Sequence, residues 1–206
     1  MQAATSHSIA YQGEFSDPVR GAQSVFRAVM DATARPGSIH QLADLCTPPA
    51  PLTASAAAII ATLADAETPV WLDSALARSE AVRDWIVFHT GAPVTVHQDE
   101  ASFALVAAPQ SLAALNGFSL GTQEYPDRST TLILQVSDLT KGAALVLEGP
   151  GVNGTASIAP SPMPLHFAAQ WRDNRAGFPR GVDLILAGPG CVAALPRTTR
   201  LAQREA

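Results

Sequence analysis

The sequence predicts an α/β protein with a three-layer α/β/α arrangement, in which a mixed β-sheet lies between helices. Helical patterns fill most of the first half of the chain, apolar strands fill the third quarter, and a helix with two strands closes it. The strands are apolar at nearly every position, which is typical of a sheet covered on both faces. With 206 residues, we expect one domain, an ordered core over about residues 15–199, and flexible ends.

The first predicted helix spans residues 18–34. Asp17 is a suitable N-cap, Pro18 fits the first helical turn, and Pro36-Gly37 ends the helix. One face of this helix carries apolar side chains at helical spacing. Its members are Val19, Ala22, Phe26 and Val29.

Two further helices surround the first predicted strand. An alanine-rich helix is expected near residues 53–65, and another runs from Ser79 to about His89, where Gly91 ends it. Between them, "TPVWLD" at residues 68–73 is short, apolar and bounded by proline, so it predicts a buried strand. After the helices we expect strands at 93–97 and 103–108, then a short helix at 111–117.

The third quarter predicts an antiparallel meander. Its strands cover residues 129–139, 143–152 and 153–160, and the turn dipeptides Lys141-Gly142 and Asn153-Gly154 fall between them. The remaining elements are a helix at residues 162–176 with Ser161 as N-cap, and two buried strands at 182–186 and 192–195 joined by Gly-Pro-Gly.

Composition limits the functional classes. Hydrophobic residues make up 47% of the chain and charged residues 15%, so the chain is apolar for its size and predicts burial against another chain. A net charge of −5, without a basic stripe, argues against nucleic-acid binding. No apolar run is long enough to span a bilayer and no signal peptide is visible, so a cytoplasmic protein is expected.

The common catalytic motifs are missing from the sequence. "EGPGVNG" at residues 148–154 has glycines but lacks the Lys-Ser/Thr of a P-loop, and a strand follows it instead of the helix of a dinucleotide site. Cys46 and Cys191 have no metal-ligand or disulfide spacing and are expected to be small core residues. His89, at a helix C-terminus, is favoured by the helix dipole and has no assignable carboxylate partner. We therefore predict no catalytic set, no metal and no cofactor.

The segment "LPRTT" at residues 195–199 is the candidate binding site. Pro196 ends the strand because it has no N–H to donate to the sheet. Arg197, Thr198 and Thr199 then offer a guanidinium, two hydroxyls and backbone N–H groups, which suit a phosphate or a carboxylate of a partner. The alternative is that Arg197 pairs with a neighbouring acid at the edge of the sheet.

Several segments, in order, resemble one family, the PhnH proteins of the bacterial phosphonate carbon–phosphorus lyase system. They cover residues 15–199 without large gaps, and "SVFRAVMDATARPG" (24–37) and "TLADAETPVWL" (62–72) add to the likeness. Each motif is weak alone, but six of them in the right order are not expected by chance. The six motifs are "TPVWL" (68–72), "FHTGAP" (88–93), "TLILQV" (131–136), "LEGPG" (147–151), "FPRGVDLIL" (178–186) and "LPRTT" (195–199).

The resemblance implies a fold similar to that of the pyridoxal-phosphate-dependent transferases, without the cofactor. The residues agree independently, because a pyridoxal enzyme needs a Schiff-base lysine. Lys141 is the only lysine in the chain, and it lies in a predicted surface turn beside a glycine. A solvated turn is a poor environment for such a nucleophile, so the sequence predicts that Lys141 binds no cofactor.

For function, the resemblance implies an accessory member of the carbon–phosphorus lyase assembly, together with its subunits G, I and J. With subunits G, I and L, PhnH proteins are required for the exchange of adenine of ATP for an alkylphosphonate, which gives α-D-ribose 1-alkylphosphonate 5-triphosphate. The later radical cleavage of the carbon–phosphorus bond belongs to the iron–sulfur subunit (J), and this chain lacks the cysteine cluster that such a step needs. The expected partners are thus a second copy of the chain, subunits G, I and J, and, within the complex, ATP or phosphonate.

Two other functions stay open at this point. The chain could be an independent transferase-like enzyme with His89 or Asp183 as acid or base, in which case the purified protein acts on a small substrate alone. It could also be a separate binding module for phosphonate or nucleotide that uses Arg197 and its two threonines, in which case the isolated protein binds such a ligand in calorimetry.

Overall fold

A seven-stranded mixed sheet forms the centre of the molecule. The computed structural model describes residues 11–112 and 114–202. The strand order is β1-β9-β8-β5-β4-β2-β3. Five adjacent strands (β8, β5, β4, β2 and β3) run parallel to one another, and β9 is antiparallel to both β8 and β1. The strands are β1 (His40–Gln41), β2 (Val70–Leu72), β3 (Val94–Thr95), β4 (Phe103–Val106), β5 (Thr131–Gln135), β8 (Asp183–Gly188) and β9 (Cys191–Leu195).

The helices of the first half begin and end close to the predicted positions. Asp17, Thr53 and Ser79 accept backbone N–H groups as N-caps, as side chains of these types do at helix starts. The last of these helices ends at Gly91, whose φ of 72° is the left-handed conformation that glycine adopts without strain. The helices are α1 (Pro18–Ala34), α2 (Ala54–Leu63), α3 (Ser74–Ala77), α4 (Glu80–Thr90) and α5 (Phe167–Ala176).

Both faces of the large sheet are covered, because alternate side chains of its strands enter two separate cores. Ile133 and Ile185 point to the face that α1, α2 and α4 cover. Leu132, Leu134 and their neighbours point to the opposite face, which α5 and a second, small sheet cover. The predicted mixed α/β architecture, with a sheet between covering layers, is confirmed.

The predicted meander is wrong at its first strand. β5 is fully buried from Leu132 to Leu134 and lies in the large sheet between β4 and β8, parallel to both. Strands β6 (Leu145–Glu148) and β7 (Ala156–Ile158) do form an antiparallel hairpin, and β10 (Arg200–Leu201) joins its other edge to make the small sheet. Lys141-Gly142 therefore lies in the connection between two sheets.

The last two predicted helices also differ from the sequence expectation. The helix expected from residue 162 begins at Phe167, because Ser161 is paired with Asp138 through the backbone and His166 has a left-handed φ of 54°. The helix expected over 111–117 is replaced by short 3₁₀ turns at Pro109–Ser111 and Leu115–Gly117. Further 3₁₀ turns lie at Gln98–Glu100 and Pro126–Arg128.

Helix α1 does not bury the face that its sequence indicated. Val29 is buried, but Val19 and Phe26 are exposed to solvent. The helix instead packs the row 21, 25, 28, 32 against the core, and this row contains Gly21 and two alanines, which allow close contact with the neighbouring elements. Both sides of α1 are apolar, so helical periodicity alone could not identify the inner one.

The segment 12–15, which precedes α1, is attached to the core. The carbonyl of Gln12 accepts a hydrogen bond from the Trp85 indole at 2.9 Å, Gly13 accepts one from the Thr47 backbone at 2.8 Å, and Phe15 is buried. The sequence expectation for flexible ends otherwise concerns residues 1–10 and 203–206, which lie outside the described residues.

Candidate functional site

The candidate "LPRTT" segment lies where the closing hairpin ends. Leu184 of β8 pairs with Leu195 of β9, so Asp183, the first residue of β8, is adjacent to the turn that starts at Pro196. The Arg197 backbone N–H donates to Asp183 Oδ1 at 2.7 Å, and the Thr199 N–H closes the turn on the Pro196 carbonyl at 2.8 Å. The sequence therefore places a carboxylate and an arginine together through the hairpin.

The guanidinium of Arg197 is held entirely by groups of this chain. Its Nε and one terminal nitrogen donate to the two Asp183 carboxylate oxygens, in the fork geometry that arginine forms with carboxylates. The other contacts of the terminal nitrogens are the Ser129 hydroxyl and the carbonyls of Pro126 and Pro179. These partners account for all five N–H donors of an arginine. The alternative interpretation, an internal ion pair, describes the arrangement in the structure.

The two threonines differ in accessibility. Thr198 is half-buried, whereas Thr199 is fully buried, and its hydroxyl has no hydrogen-bond partner among the described residues. The Thr199 carbonyl accepts a hydrogen bond from the Trp171 indole at 3.0 Å, which ties the segment to α5. An external anion could reach Thr198 directly but could bind Arg197 only by displacing one of its present partners. The anion-contacting role of Arg197, Thr198 and Thr199 stays a prediction.

The position of this segment relative to the sheet also bears on ligand binding. Asp183 and Thr131 begin β8 and β5, so Arg197 lies at the amino ends of the parallel strands. In open α/β sheets, ligands bind outside the carboxyl ends. The Arg197 segment is therefore at the edge opposite to the usual one.

Polar side chains at the carboxyl ends of the strands are used to hold loops. Asp73, which follows β2 and is 7% exposed, accepts the N–H groups of Leu76, Ala107 and Ala108 at 2.9–3.0 Å. Gln135 at the end of β5 is buried and binds the backbone of the loop before α2 through Thr53 and Pro51. Asp73 is also the N-cap of α3, because its carboxylate accepts the Leu76 N–H.

His89 lies in the last turn of α4, as predicted, and is almost completely enclosed. Its side chain is 4% exposed, with the rings of Trp85 and Phe88 against it. Nδ1 lies 3.7 Å from a carboxylate oxygen of Glu14, while Nε2 has no partner among the described residues. Glu14 is the carboxylate that sequence reasoning could not assign, because the two residues are far apart along the chain. Enclosure by two aromatic rings leaves little access for a substrate.

The cysteines are free thiols in poorly solvated positions. Burial raises the pKa of Cys46 to about 12, and the carboxylates of Asp44 and Glu14 add to this effect. The pKa of Cys191 is also raised, first by burial and second by Asp138. Thiols of this kind are poor nucleophiles at neutral pH. Among the described residues, no group of three or more His, Cys, Asp or Glu side chains is arranged to hold a metal ion.

A cavity of about 260 Å³ that sequence reasoning missed lies beside α5. Asp173 and Arg180 stand on its rim, and neither forms an ion pair with another described residue. Its volume is below the ~300–1,000 Å³ of typical ligand pockets, so it suits only a small molecule. Its lining comes from a 3₁₀ turn, α5 and the loop after α5, an arrangement with no local signal in the sequence. The other lining residues include Asn116, Leu120, Gln170 and Gly177.

Lys141 lies on the surface, as its Lys-Gly dipeptide predicted. Its side chain is 81% exposed, and its ammonium lies 2.9 Å from Asp138. The hydrogen bond from Lys141, with two further bonds from Thr140, holds the pKa of Asp138 well below its usual range. A solvated, paired lysine of this kind is not the desolvated amine that Schiff-base chemistry uses.

We predict that Lys141→Ala leaves the melting temperature almost unchanged, because exposed ion pairs contribute little to stability. The pKa of Asp138 should rise towards its ordinary value. A carboxylate whose pKa is depressed by folding stabilises the fold only while it is ionised, and this contribution is lost as the pH falls through that pKa. Any stability difference between the variant and the wild type should therefore disappear in strong acid. Carboxyl titration by NMR and thermal unfolding at several pH values test this.

Addition of pyridoxal phosphate to the wild type should produce no Schiff-base absorbance that is lost in Lys141→Ala. A large loss of stability or activity in the variant would contradict the assignment of Lys141 as a surface residue without a catalytic role.

No helix among the described residues is both long and apolar enough to cross a membrane.

Comparison with known proteins identifies the chain's relatives. The family model of bacterial phosphonate metabolism protein (PhnH) matches residues 13–202.

Two curated proteins are similar to the chain. Alpha-D-ribose 1-methylphosphonate 5-triphosphate synthase subunit PhnH of Rhizobium meliloti (strain 1021) is 49% identical over 201 residues, which is 98% of this chain and 100% of that protein. Putative C-P lyase subunit protein HtxG of Stutzerimonas stutzeri is 38% identical over 82 residues, or 40% of this chain and 42% of that protein. A family match over nearly the whole described chain and a full-length relative agree, and the chain belongs to the PhnH family of bacterial phosphonate metabolism proteins.

Proposed function

We propose that this chain is the PhnH component of an alpha-D-ribose 1-methylphosphonate 5-triphosphate synthase and acts there as an accessory subunit. The observation that carries the proposal is the 49% identity to the Rhizobium meliloti protein over its full length. The likeness to a putative C-P lyase subunit from a second organism supports the same pathway. The synthase exchanges adenine of ATP for an alkylphosphonate, and this chain contributes to that reaction as part of a complex.

The contacts of the candidate acids and bases support an accessory role. Asp183 is bound by Arg197, His89 is enclosed by two aromatic rings, and Asp73 holds three backbone N–H groups. Each of these groups therefore has a structural task that a proton transfer would interrupt. In this proposal the catalytic groups belong to the other subunits, and this chain organises them or their substrate.

The proposed partners are subunits G, I and J, with the ATPase-like subunit (L) needed for turnover, and ATP and alkylphosphonate as substrates of the complex. The test is reconstitution with and without this chain, followed by ³¹P NMR of the ribose 1-alkylphosphonate 5-triphosphate. We expect product only when the chain is present. Equal turnover without it would overturn the proposal, and turnover by the isolated chain would favour the independent enzyme instead.

We also propose that the fold is similar to that of the pyridoxal-phosphate-dependent transferases without the cofactor, in a single domain. A seven-stranded mixed sheet covered on both faces supports this. The exposed Lys141 supports the lack of a pyridoxal site. A cytoplasmic location, expected from the sequence, belongs to the same proposal.

We further propose that the isolated chain is a homodimer, a prediction that rests on its apolar composition and on the family resemblance. Exposed apolar side chains such as Phe88 and Tyr11, at 57% and 51%, support a further interface. A stable symmetric dimer buries one patch twice, with a total area of about 2,000 Å² or more for an obligate pair. Light scattering at micromolar concentration should give twice the 21.4 kDa chain mass. A monomer mass at that concentration would disprove the homodimer.

A further inference from the structure

Helix α1 presents a row of large side chains to solvent on the side opposite the core. We call Val19, Gln23, Phe26 and Met30 the outer row. Successive members are spaced by four, three and four residues, which is the spacing of the a and d positions in a coiled-coil seam. Val19 is 66% exposed, Phe26 49% and Met30 53%.

Three of the four side chains in the outer row are apolar, and on a helix that already buries its inner face this requires an explanation. A surface helix of a soluble protein normally has a polar outer face, and a helix that is apolar all round is normally buried. Contiguous exposed apolar patches mark interaction sites. The outer row therefore indicates that α1 has a second neighbour in the assembled protein.

The shape beside the outer row suits a helix. A groove of about 480 Å³ runs along α1 where it faces α2. Phe26 and Met30 form one wall, and Thr62 of α2 lies on the other side. A groove between two helices, lined at helical spacing, is the surface on which an amphipathic helix lays its apolar face.

The charges at the two positions that follow Val19 and Phe26 are positive. Arg27 lies directly beside Phe26 on the groove and forms no ion pair with another described residue. Arg20 occupies the equivalent place beside Val19, is 87% exposed, and has only a loose contact of 3.7 Å with Asp17. In a coiled-coil seam, the residues that follow the d positions select the partner through their charge. Two arginines at these positions select carboxylates.

We propose that the outer row of α1, with Arg20 and Arg27, is the docking surface for an amphipathic helix of another subunit of the synthase, whose apolar face is flanked by Asp or Glu. This inference rests on the proposed function. A second copy of α1 fits the surface poorly, because antiparallel pairing places arginine opposite arginine, and parallel pairing places the arginines opposite Ala22 and Val29. Like charges placed together across an interface disfavour a pairing.

The test uses the full chain co-expressed with subunits G, I and J. The docking variant is Phe26→Ser with Arg27→Glu. The matched control, Val96→Ser with Arg172→Glu, makes the same two kinds of change at exposed positions away from α1. Both variants should keep the wild-type melting temperature and oligomeric state, since all four side chains are exposed.

We expect the docking variant to retain at least tenfold less of the other subunits on purification, whereas the control and Arg27→Lys retain wild-type amounts. Full retention by the docking variant overturns the inference and leaves the proposed function intact. If the docking variant keeps the other subunits but becomes monomeric, a second copy occupies the surface, and the inference is again wrong. If the wild-type chain itself retains none of these subunits, both the inference and the proposed function fail.

Discussion

Replacement of Arg197 by methionine is expected to lower the free energy of unfolding by about 3 kcal/mol. The reason is that Asp183 would keep its charge in a partly buried position after losing the guanidinium that binds both of its oxygens. Asp183→Asn should cost a similar amount, because it leaves the Arg197 charge, 13% exposed, without a carboxylate. Urea unfolding followed by tryptophan fluorescence measures both effects.

The double variant identifies the source of the loss. Asp183→Asn combined with Arg197→Met removes both charges and keeps a side-chain acceptor for the Arg197 backbone N–H, so its loss should be well below the sum of the single losses. Arg35→Met is the control, since the Arg35–Asp31 pair is 2.9 Å apart but 58% and 47% exposed, and its loss should stay below ~1 kcal/mol. Strictly additive losses in the double variant would contradict a coupled pair.

Substitutions of Arg197 and Thr198 test the anion-contacting hypothesis. Arg197→Lys keeps the charge but not the fork, so with five internal contacts to satisfy it should destabilise the fold. If Arg197 contacts an anion, the same substitution should weaken the function more than it weakens the fold. If Arg197→Lys and Thr198→Val reduce complex turnover while stability stays at the wild-type value, the segment binds an anion. If Arg197→Lys instead lowers the free energy of unfolding, Arg197 has a structural role.

Removal of the Asp73 carboxylate should have an effect of similar size. We expect Asp73→Ala to lower the free energy of unfolding by about 3 kcal/mol, because three backbone N–H groups lose their acceptor at once. Loss of an N-cap alone costs ~1 kcal/mol, and each donor left buried without a partner costs a further ~1–3 kcal/mol. Thermal and urea unfolding of the purified variant measure the loss.

Asp17→Ala is the matched control for this prediction. Asp17 is also the N-cap of a helix, but it is exposed and accepts only the Arg20 N–H, at 3.1 Å, so its loss should be about 1 kcal/mol. Equal losses for the two variants would show that the contacts of Asp73 with Ala107 and Ala108 contribute nothing to stability.

The sequence by itself determined the local elements and their ends. Asp17, Thr53 and Ser79 are caps because a short polar side chain satisfies the free N–H groups of a helix start, and this depends on only three neighbouring residues. The hairpin from Val182 to Leu195 also depends on a local signal, because Gly-Pro-Gly favours a turn between two apolar strands. The exposed position of Lys141 followed from its turn dipeptide.

The tertiary structure decided which elements meet and which surface stays exposed. β5 lies inside the large sheet, where β4 and β8 pair with its two edges and both of its faces are covered. Turn dipeptides do not specify which strands become these neighbours. The inner face of α1 is the row with small residues, since close packing of the backbone outweighed the burial of Phe26. The Asp183–Arg197 pair follows from the hairpin, but the Ser129 hydroxyl and the carbonyls of Pro126 and Pro179 reach Arg197 only through the fold. The Glu14–His89 contact likewise joins residues far apart along the chain, which no local pattern in the sequence brings together.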